Sequence, residues 1–231
     1  MDKVIYAIGD VHGRDDLLSQ LHNDIRAHHQ LLHSHRGAEL VYVGDYIDRG
    51  PDSAAVIDRA MAGLDRFQST CLLGNHEAMM LECLDTDNQH VWTNWLFNGG
   101  EETLLSLGVS PSAAGGDPKE LTDALGPDRV AWLKALALSY EAGPYLFVHA
   151  GIVPNVPLDQ QQPQDLLWIR SRFLDSNVDH GRMVIHGHTP SEEPVVKHNR
   201  ICIDTGAAFY GQLTAVVLDG DSPPLFLQAQ D

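Results

Sequence analysis

Apolar residues fall into two rhythms along this chain. Over its first third, short and nearly continuous runs alternate with segments whose apolar positions recur every three or four residues. Runs bounded by glycine and aspartate read as buried strands, and the longer spacing reads as amphipathic helix. On that basis "KVIYAIGD" (3–10), "ELVYVGD" (39–45) and "STCLLGN" (69–75) are predicted strands. Helices are predicted over "RDDLLSQLHNDIRAHHQLL" (14–32), with Leu17, Leu21, Ile25 and Leu32 on one face, over "SAAVIDRAMAGL" (53–64), and through "EAMMLECL" (77–84). Asp15 and Asp16 stand in the first turn of the first helix, where the dipole favours them, and Pro51-Asp52 mark the start of the second. This alternation is the grammar of a layered α/β fold.

The middle of the chain, residues 86–140, reads as helical and loop-rich, with a surface loop at 110–118 and a helix over "PDRVAWLKALAL" (127–138). The last part turns β-rich, in "YLFVHAG", "RMVIHG", "PVVKHNRICIDTG", "LTAVVLDG" and "PLFLQ". With 231 residues, 43% of them hydrophobic, and no internal repeat, the expectation is one domain spanning 1–231. No apolar stretch is long enough to span a bilayer, and the N-terminus enters a strand with no signal-peptide pattern. Cys71, Cys83 and Cys202 form no paired motif and read as buried reduced thiols, so a cytoplasmic location is expected.

Charge narrows the partners. The formal net charge is −17, and no basic stripe reverses it locally. Such a surface repels nucleic-acid backbones and anionic lipid, so neither nucleic acid nor membrane is expected. A phosphorylated substrate would need a strongly cationic pocket of its own.

Five apolar runs end in polar tips of one kind: "IGDVHGR" (8–14), "VGDYIDRG" (43–50), "LGNHE" (73–77), "FVHAG" (147–151) and "VIHGHTP" (184–190). Ligands of α/β sheets gather at the carboxyl ends of strands, so tips far apart in sequence can meet there. If the first strand continues to residue 12, Asp10 and His12 point to one side and can share a metal. The donors are carboxylate, imidazole and amide oxygen without sulfur, a mixture suited to Mn, Fe or Zn. One ion is expected on Asp10, His12 and Asp45. A second is expected on Asp45, Asn75, His149 and His188, with Asp45 bridging. Two dications against two aspartates leave net positive charge for a phosphate. Arg49 and Arg170, in "LLWIRSRF", would add bidentate donors, with Arg172 the alternative to Arg170. His76 is then free to protonate the departing alkoxide, with Asp48 favouring its charged form.

In this order, "GDVHGR", "GDYIDRG", "GNHE", "VHAG" and "GHTP" resemble the phosphoprotein phosphatase family of calcineurin-like metallophosphoesterases, from Gly9 to Gly206-Ala207. The resemblance implies a four-layer α/β/β/α sandwich with a dimetal site at the carboxyl ends of the strands, in which a metal-bound hydroxide attacks phosphorus without a phosphoenzyme. It assigns the metal, arginine and acid roles to the same residues. Pro190 stands where the wider superfamily has a second histidine, which matches the phosphoprotein branch. The chain looks like a compact bacterial or phage-type serine/threonine phosphatase acting on a phosphorylated protein or a small phosphoester. Symmetrical dinucleoside tetraphosphate hydrolysis is the rival within enzymes, and Asp48 and Glu77 tilt against it. A catalytically inactive metal-binding scaffold is the rival from another class, but no ligand is missing.

Other features take plainer readings. "HHQLLHSH" (28–35) reads as a solvated helix end rather than a metal site. In "WTNWLFNGGEE" (92–102) the tryptophans read as core, with Asn98-Gly99-Gly100 a candidate substrate-facing loop. The mid-chain segment (86–140) and "IVPNVPLDQQQPQD" (152–165) are the expected groove walls. A cysteine nucleophile would need an arginine six positions on, where Glu77, Gln89 and Ala208 stand instead, and "DGDSP" (219–223) is a poor aspartyl nucleophile.

Overall fold

A computed structural model describes residues 3–110, 116–220 and 222–231; most of the predicted surface loop at 110–118 lies outside them. In chain order the elements are β1 (Lys3–Ile8), α1 (Asp15–Leu32), β2 (Gly37–Tyr42), α2 (Ser53–Ala62), β3 (Phe67–Cys71) and α3 (Asn75–Leu84). Next come α4 (Gln89–Trp95), a π-helical turn (Leu96–Gly100), α5 (Glu101–Ser106) and α6 (Pro118–Lys134). The remainder comprises β4 (Ser139–Ala142), β5 (Tyr145–Val148), α7 (Pro163–Trp168), α8 (Ser171–Leu174), β6 (Met183–His186), β7 (Val195–Val196), β8 (Arg200–Cys202), α9 (Ala207–Tyr210), β9 (Gln212–Leu218) and β10 (Leu225–Gln230).

The strands form two five-stranded sheets, ordered β10-β9-β1-β2-β3 and β4-β5-β6-β8-β7. β1, β2 and β3 run parallel, as do β5, β6 and β8. Parallel neighbours end on the same side, so both sheets deliver their tips to one edge.

Side-chain alternation explains the layering. Along β1, Val4, Tyr6 and Ile8 pack with residues of α1 and α2, while Ile5 and Ala7 pack with Phe147, Ile185 and Ile201 of the second sheet. The opposite face of that sheet, through Leu146, Val148 and Val184, packs on Leu166, Ile169 and Phe173. Helices, sheet, sheet, helices: the layers are α/β/β/α, as expected. The inter-sheet core fixes the two sets of tips relative to each other, and truncating a contributor such as Ile185 to Ala costs roughly 2–5 kcal/mol.

The structure refines local expectations. Leu32 stands on the predicted helical face but is 55% exposed. An 18-residue helix is about 27 Å long and a six-residue strand about 20 Å, so the end of α1 outruns β1. The histidines there are not simply solvated either. His28 and His29 pack edge-on against Tyr6, and His28 Nδ1 lies 2.9 Å from the Tyr6 hydroxyl. The predicted helix over 127–138 is the second part of α6, which kinks at Gly126 before Pro127. The helix ends at Lys134 rather than at 138, and β4, which the apolar pattern did not separate, follows from Ser139.

Candidate metal centre and active site

The five tips converge, though not by strand alternation. β1 stops at Ile8, so Asp10 and His12 do not sit side by side on a continuing strand. The chain turns instead: the N–H groups of Val11 and His12 both donate to the carbonyl of Asp45, at 2.9 Å each. Buried amides leaving one strand find their acceptor on the neighbouring tip. Among the described residues seven non-glycines adopt positive φ, and His12, Asp45, Asp48, Arg49 and His188 are among them. Such conformations cost on the order of 1 kcal/mol or more each, so backbone strain is concentrated where these side chains must turn inward.

Two trios of donor atoms, each within 4.8 Å of one another, share Asp45: His12–Asp45–His76 and Asp45–His149–His188. Asn75 Oδ1 lies 2.8 Å from both His149 Nε2 and His188 Nδ1. Asp10 falls outside both trios. Its Oδ2 accepts the His188 N–H at 2.8 Å, and its Oδ1 is buried without a partner. A Cβ at Gly187 would lie 1.9 Å from that Oδ1, so only glycine lets the last tip approach the first.

The donor chemistry fits a divalent cation. His12 Nδ1 faces the Ile47 carbonyl at 2.8 Å and His149 Nδ1 faces the Val43 carbonyl at 2.9 Å, so both rings carry the proton there and turn an Nε2 lone pair inward. Each lone pair lies 3.5 Å from Asp45 Oδ2, which can only accept. His188 Nε2 is buried with no partner. His12 Nε2 is met by an Arg49 donor, but His149 Nε2 faces the Asn75 and Asp45 oxygens, and acceptors facing acceptors in a dry site are completed by a cation.

Electrostatics agrees. Burial holds His12 and His149 below the usual imidazole value, and burial with the neighbouring His149 takes His188 down to about 3. Neutral imidazole is the ligating form. Burial opposes the charge on Asp45, but the surrounding His149, His76, His12 and His188 hold its carboxyl well below the ordinary range. Asp10 is pushed up by burial and by the Asp204 and Asp45 carboxylates.

The proposed acid and its support are adjacent. His76 Nδ1 lies 2.6 Å from Asp48 Oδ2, with both side chains buried. Burial works against an imidazolium there, yet Asp45 and Asp48 outweigh it and raise the His76 pKa. Arg49 donates from its two terminal nitrogens to His12 Nε2 (2.6 Å) and His76 Nε2 (2.9 Å). Above them opens a cavity of about 250 Å³ lined by Arg49, Arg170, His76, Asn98, Trp168 and Phe209, with Asp45, Asn75 and His188 on its floor. Arg170 lines it; Arg172 does not. His186 is a buried neighbour outside both trios, its Nδ1 3.0 Å from the Gly187 carbonyl. The segment 152–165 does not wall this cavity; Asn155 to Leu158 border a separate one near His180.

Sequence reasoning missed the residues that brace the site. Trp95 is core, as read, but its indole N–H also donates to the Asp48 carboxylate at 3.0 Å, and the Thr103 hydroxyl donates at 2.7 Å. Glu77, used above as a marker of substrate, lies away from the cavity. Its carboxylate accepts the N–H groups of Asp45, Tyr46 and Gly74 at 2.8–3.0 Å and locks the second tip to the start of α3. Burial and Asp45 push that carboxyl up to about 8, against the pull of these donors. Asp204 is buried beside Asp10, and burial takes it up to about 6. Only the aspartate of "CIDTG" itself signalled it, a polar residue closing an apolar strand.

Comparison with known proteins settles the family. The profile of the calcineurin-like phosphoesterases matches residues 3–217. The chain belongs to that family. This phosphoesterase is 31% identical to serine/threonine-protein phosphatase 1 of Salmonella typhimurium, over 91% of its own length and 89% of the relative's. It is 26% identical to the asymmetrical bis(5'-nucleosyl)-tetraphosphatase of Anoxybacillus flavithermus, over 90% and 88%. A crystal structure described as a candidate diadenosine tetraphosphatase shares the fold, with a TM-score of 0.70 at 19% identity, covering 100% of this chain and 96% of that one. Members of the family use divalent metals, and the two trios provide groups that could hold them. Among the described residues no helix is long and apolar enough to cross a membrane.

Proposed function

We propose that this phosphoesterase hydrolyses phosphomonoesters, with phosphoserine and phosphothreonine in proteins as its substrates. The observation that carries the reading is the His76–Asp48 pair, at 2.6 Å beneath a cavity that also holds two arginines. A serine or threonine alkoxide is a poor leaving group and needs a proton, whereas a nucleoside phosphate departs without one. A buried, carboxylate-backed imidazole is therefore what a monoesterase requires and a polyphosphatase does not.

Asp10, His12 and Asp45 would hold one ion, and Asp45, Asn75, His149 and His188 the other, with Mn²⁺ as the proposed metal and Fe or Zn as alternatives. When bound, the cations neutralise phosphate charge and acidify nearby water. The chain's own residues do the rest. Arg49 and Arg170 orient the phosphoryl oxygens through paired N–H donors. As Arg49 turns from His76 to the phosphoryl oxygens, His76 Nε2 is freed to take up the proton it delivers to the leaving oxygen, and Asp48 fixes the ring through Nδ1 and stabilises its charge. Trp95 and Thr103 hold Asp48 in turn.

Dinucleoside tetraphosphate hydrolysis is the second reading, favoured by the match, over 90% of this chain, to an asymmetrical bis(5'-nucleosyl)-tetraphosphatase. Mn²⁺-supplemented protein assayed in parallel on a phosphoserine peptide and on diadenosine tetraphosphate separates the two. Higher kcat/KM on the peptide is expected; preference for the dinucleotide overturns the first reading, and no turnover on either would return the protein to the scaffold class.

A further inference from the structure

Phe209 is an exposed aromatic where exposure has no stabilising use. It is 58% accessible, yet it borders the catalytic cavity, and the Arg49 guanidinium carbon stands 5.0 Å from the centre of its ring. That is the distance and placement of a cation–π contact.

The backbone beneath Phe209 is fixed. Its carrier, α9, is a single turn between Gly206 at φ 67° and Gly211 at φ 66°. The Asp204 carboxylate accepts the Gly206 N–H at 3.0 Å, and Arg14 donates to the Ala207 carbonyl at 2.9 Å. Arg14 also pairs with Asp231, whose N–H donates to the Gly211 carbonyl at 3.1 Å. Both ends of the turn are thus tied to other parts of the chain. On the other side of the cavity, the Arg49 N–H donates to the Gly99 carbonyl of the π-helical turn at 3.0 Å. The arginine is anchored at its backbone, and its head donates to His12 Nε2 and His76 Nε2 at 2.6 and 2.9 Å. Phosphate must draw those donors away from the histidines, and a ring face beside the head keeps the guanidinium at the cavity mouth as they are released.

We propose that Phe209 is a positioning residue for Arg49, holding the guanidinium at the cavity mouth so that phosphate meets an already oriented fork. The inference rests on the reading of Arg49 as a phosphate-binding residue, and the test separates the two. The dissociation constant of inorganic phosphate is measured by calorimetry on the Mn²⁺-supplemented protein, with KM and kcat on p-nitrophenyl phosphate alongside. Phe209→Leu should weaken phosphate binding about fivefold and raise KM more than it changes kcat. Phe209→Tyr keeps the ring face and should restore binding to within about twofold. In an Arg49→Ala background Phe209→Leu should add nothing.

Unchanged phosphate binding in Phe209→Leu, or the same loss with and without Arg49, overturns the inference while leaving Arg49 in its role. If Arg49→Ala itself binds phosphate like the wild type, the Arg49 reading fails and this one falls with it. Because α9 is a surface turn, its melting temperature should change little in Phe209→Leu. If both Phe209→Leu and Phe209→Tyr lose binding equally, the ring face is not what matters, and the inference is likewise overturned.

Discussion

The floor and the rim of the cavity above the two trios are built on opposite principles. On the floor, Asp45, Asn75, His76 and His188 are each at most 5% exposed, and each is held by a second group. On the rim, Arg170 and Phe209 are exposed, and the Arg170 guanidinium makes no side-chain hydrogen bond among the described residues. Groups that carry out chemistry need their geometry overdetermined, since a small displacement is costly. Groups that meet a variable substrate do not. Changes on the floor should therefore appear in kcat, and changes on the rim in KM.

The sharpest break is at His76. Replacing it by Asn should lower kcat on an alkyl phosphate by about 10²–10⁴, the usual contribution of a general acid, with metal content by elemental analysis nearly unchanged. On p-nitrophenyl phosphate, whose leaving group needs little protonation, the loss should be much smaller. Equal losses on both substrates would move His76 from acid to structural or ligating residue, an outcome its place in the His12–Asp45–His76 trio makes worth testing.

One layer down, the comparison predicts graded effects. Asp48→Asn should reduce kcat on the alkyl ester by about 10–100-fold, less than loss of the acid itself. Trp95→Phe removes only one donor to Asp48 and should cost a few-fold at most, about the worth of one hydrogen bond. The pH profile carries a sign. Asp45 and Asp48 raise the His76 pKa, and an acid must be protonated, so activity on the alkyl ester should fall on the alkaline side, at a pH above the ordinary imidazole value. Asp48→Asn removes part of the negative charge, so that limb should move to lower pH. A limb that stays in place would uncouple Asp48 from the acid.

The same division explains which parts could be read from the chain. Floor residues sit on turns that close parallel strands, and those turns have fixed local grammar: an apolar run, a glycine, then a polar side chain. "VGDYIDRG" and "LGNHE" display it in a few letters, and the layer order follows from the apolar runs. Rim and bracing residues lack it. Trp95 and Asn98 lie on a helix whose π-turn no periodicity announces, and Thr103 reaches Asp48 across 55 positions. Alternation leaves open whether the first strand continues to His12, because it cannot reveal that the Asp45 carbonyl captures two N–H groups and turns the chain. Leu32 shares the spacing of Leu17, Leu21 and Ile25 but not their burial, because spacing shows a helical face and not where its sheet ends.

The mildest effect belongs to the outermost arginine. Arg170 sits at the corner between α7 and α8 and lines the cavity, while Arg172, two residues on, does not. Composition alone left the two open, because "IRSRF" offers both at similar distance from the motifs. Arg170 is exposed, so its attraction for phosphate is screened, and Arg170→Ala should raise KM about 5–20-fold while kcat changes less. Arg170→Lys should recover only part, since an ammonium cannot supply the paired donors. Arg172→Ala should leave KM within about twofold, as a surface change away from the site. A larger effect at Arg172 than at Arg170 would mean that the rim rearranges when substrate binds, and that the contrast between a fixed floor and a permissive rim extends to the backbone of α8.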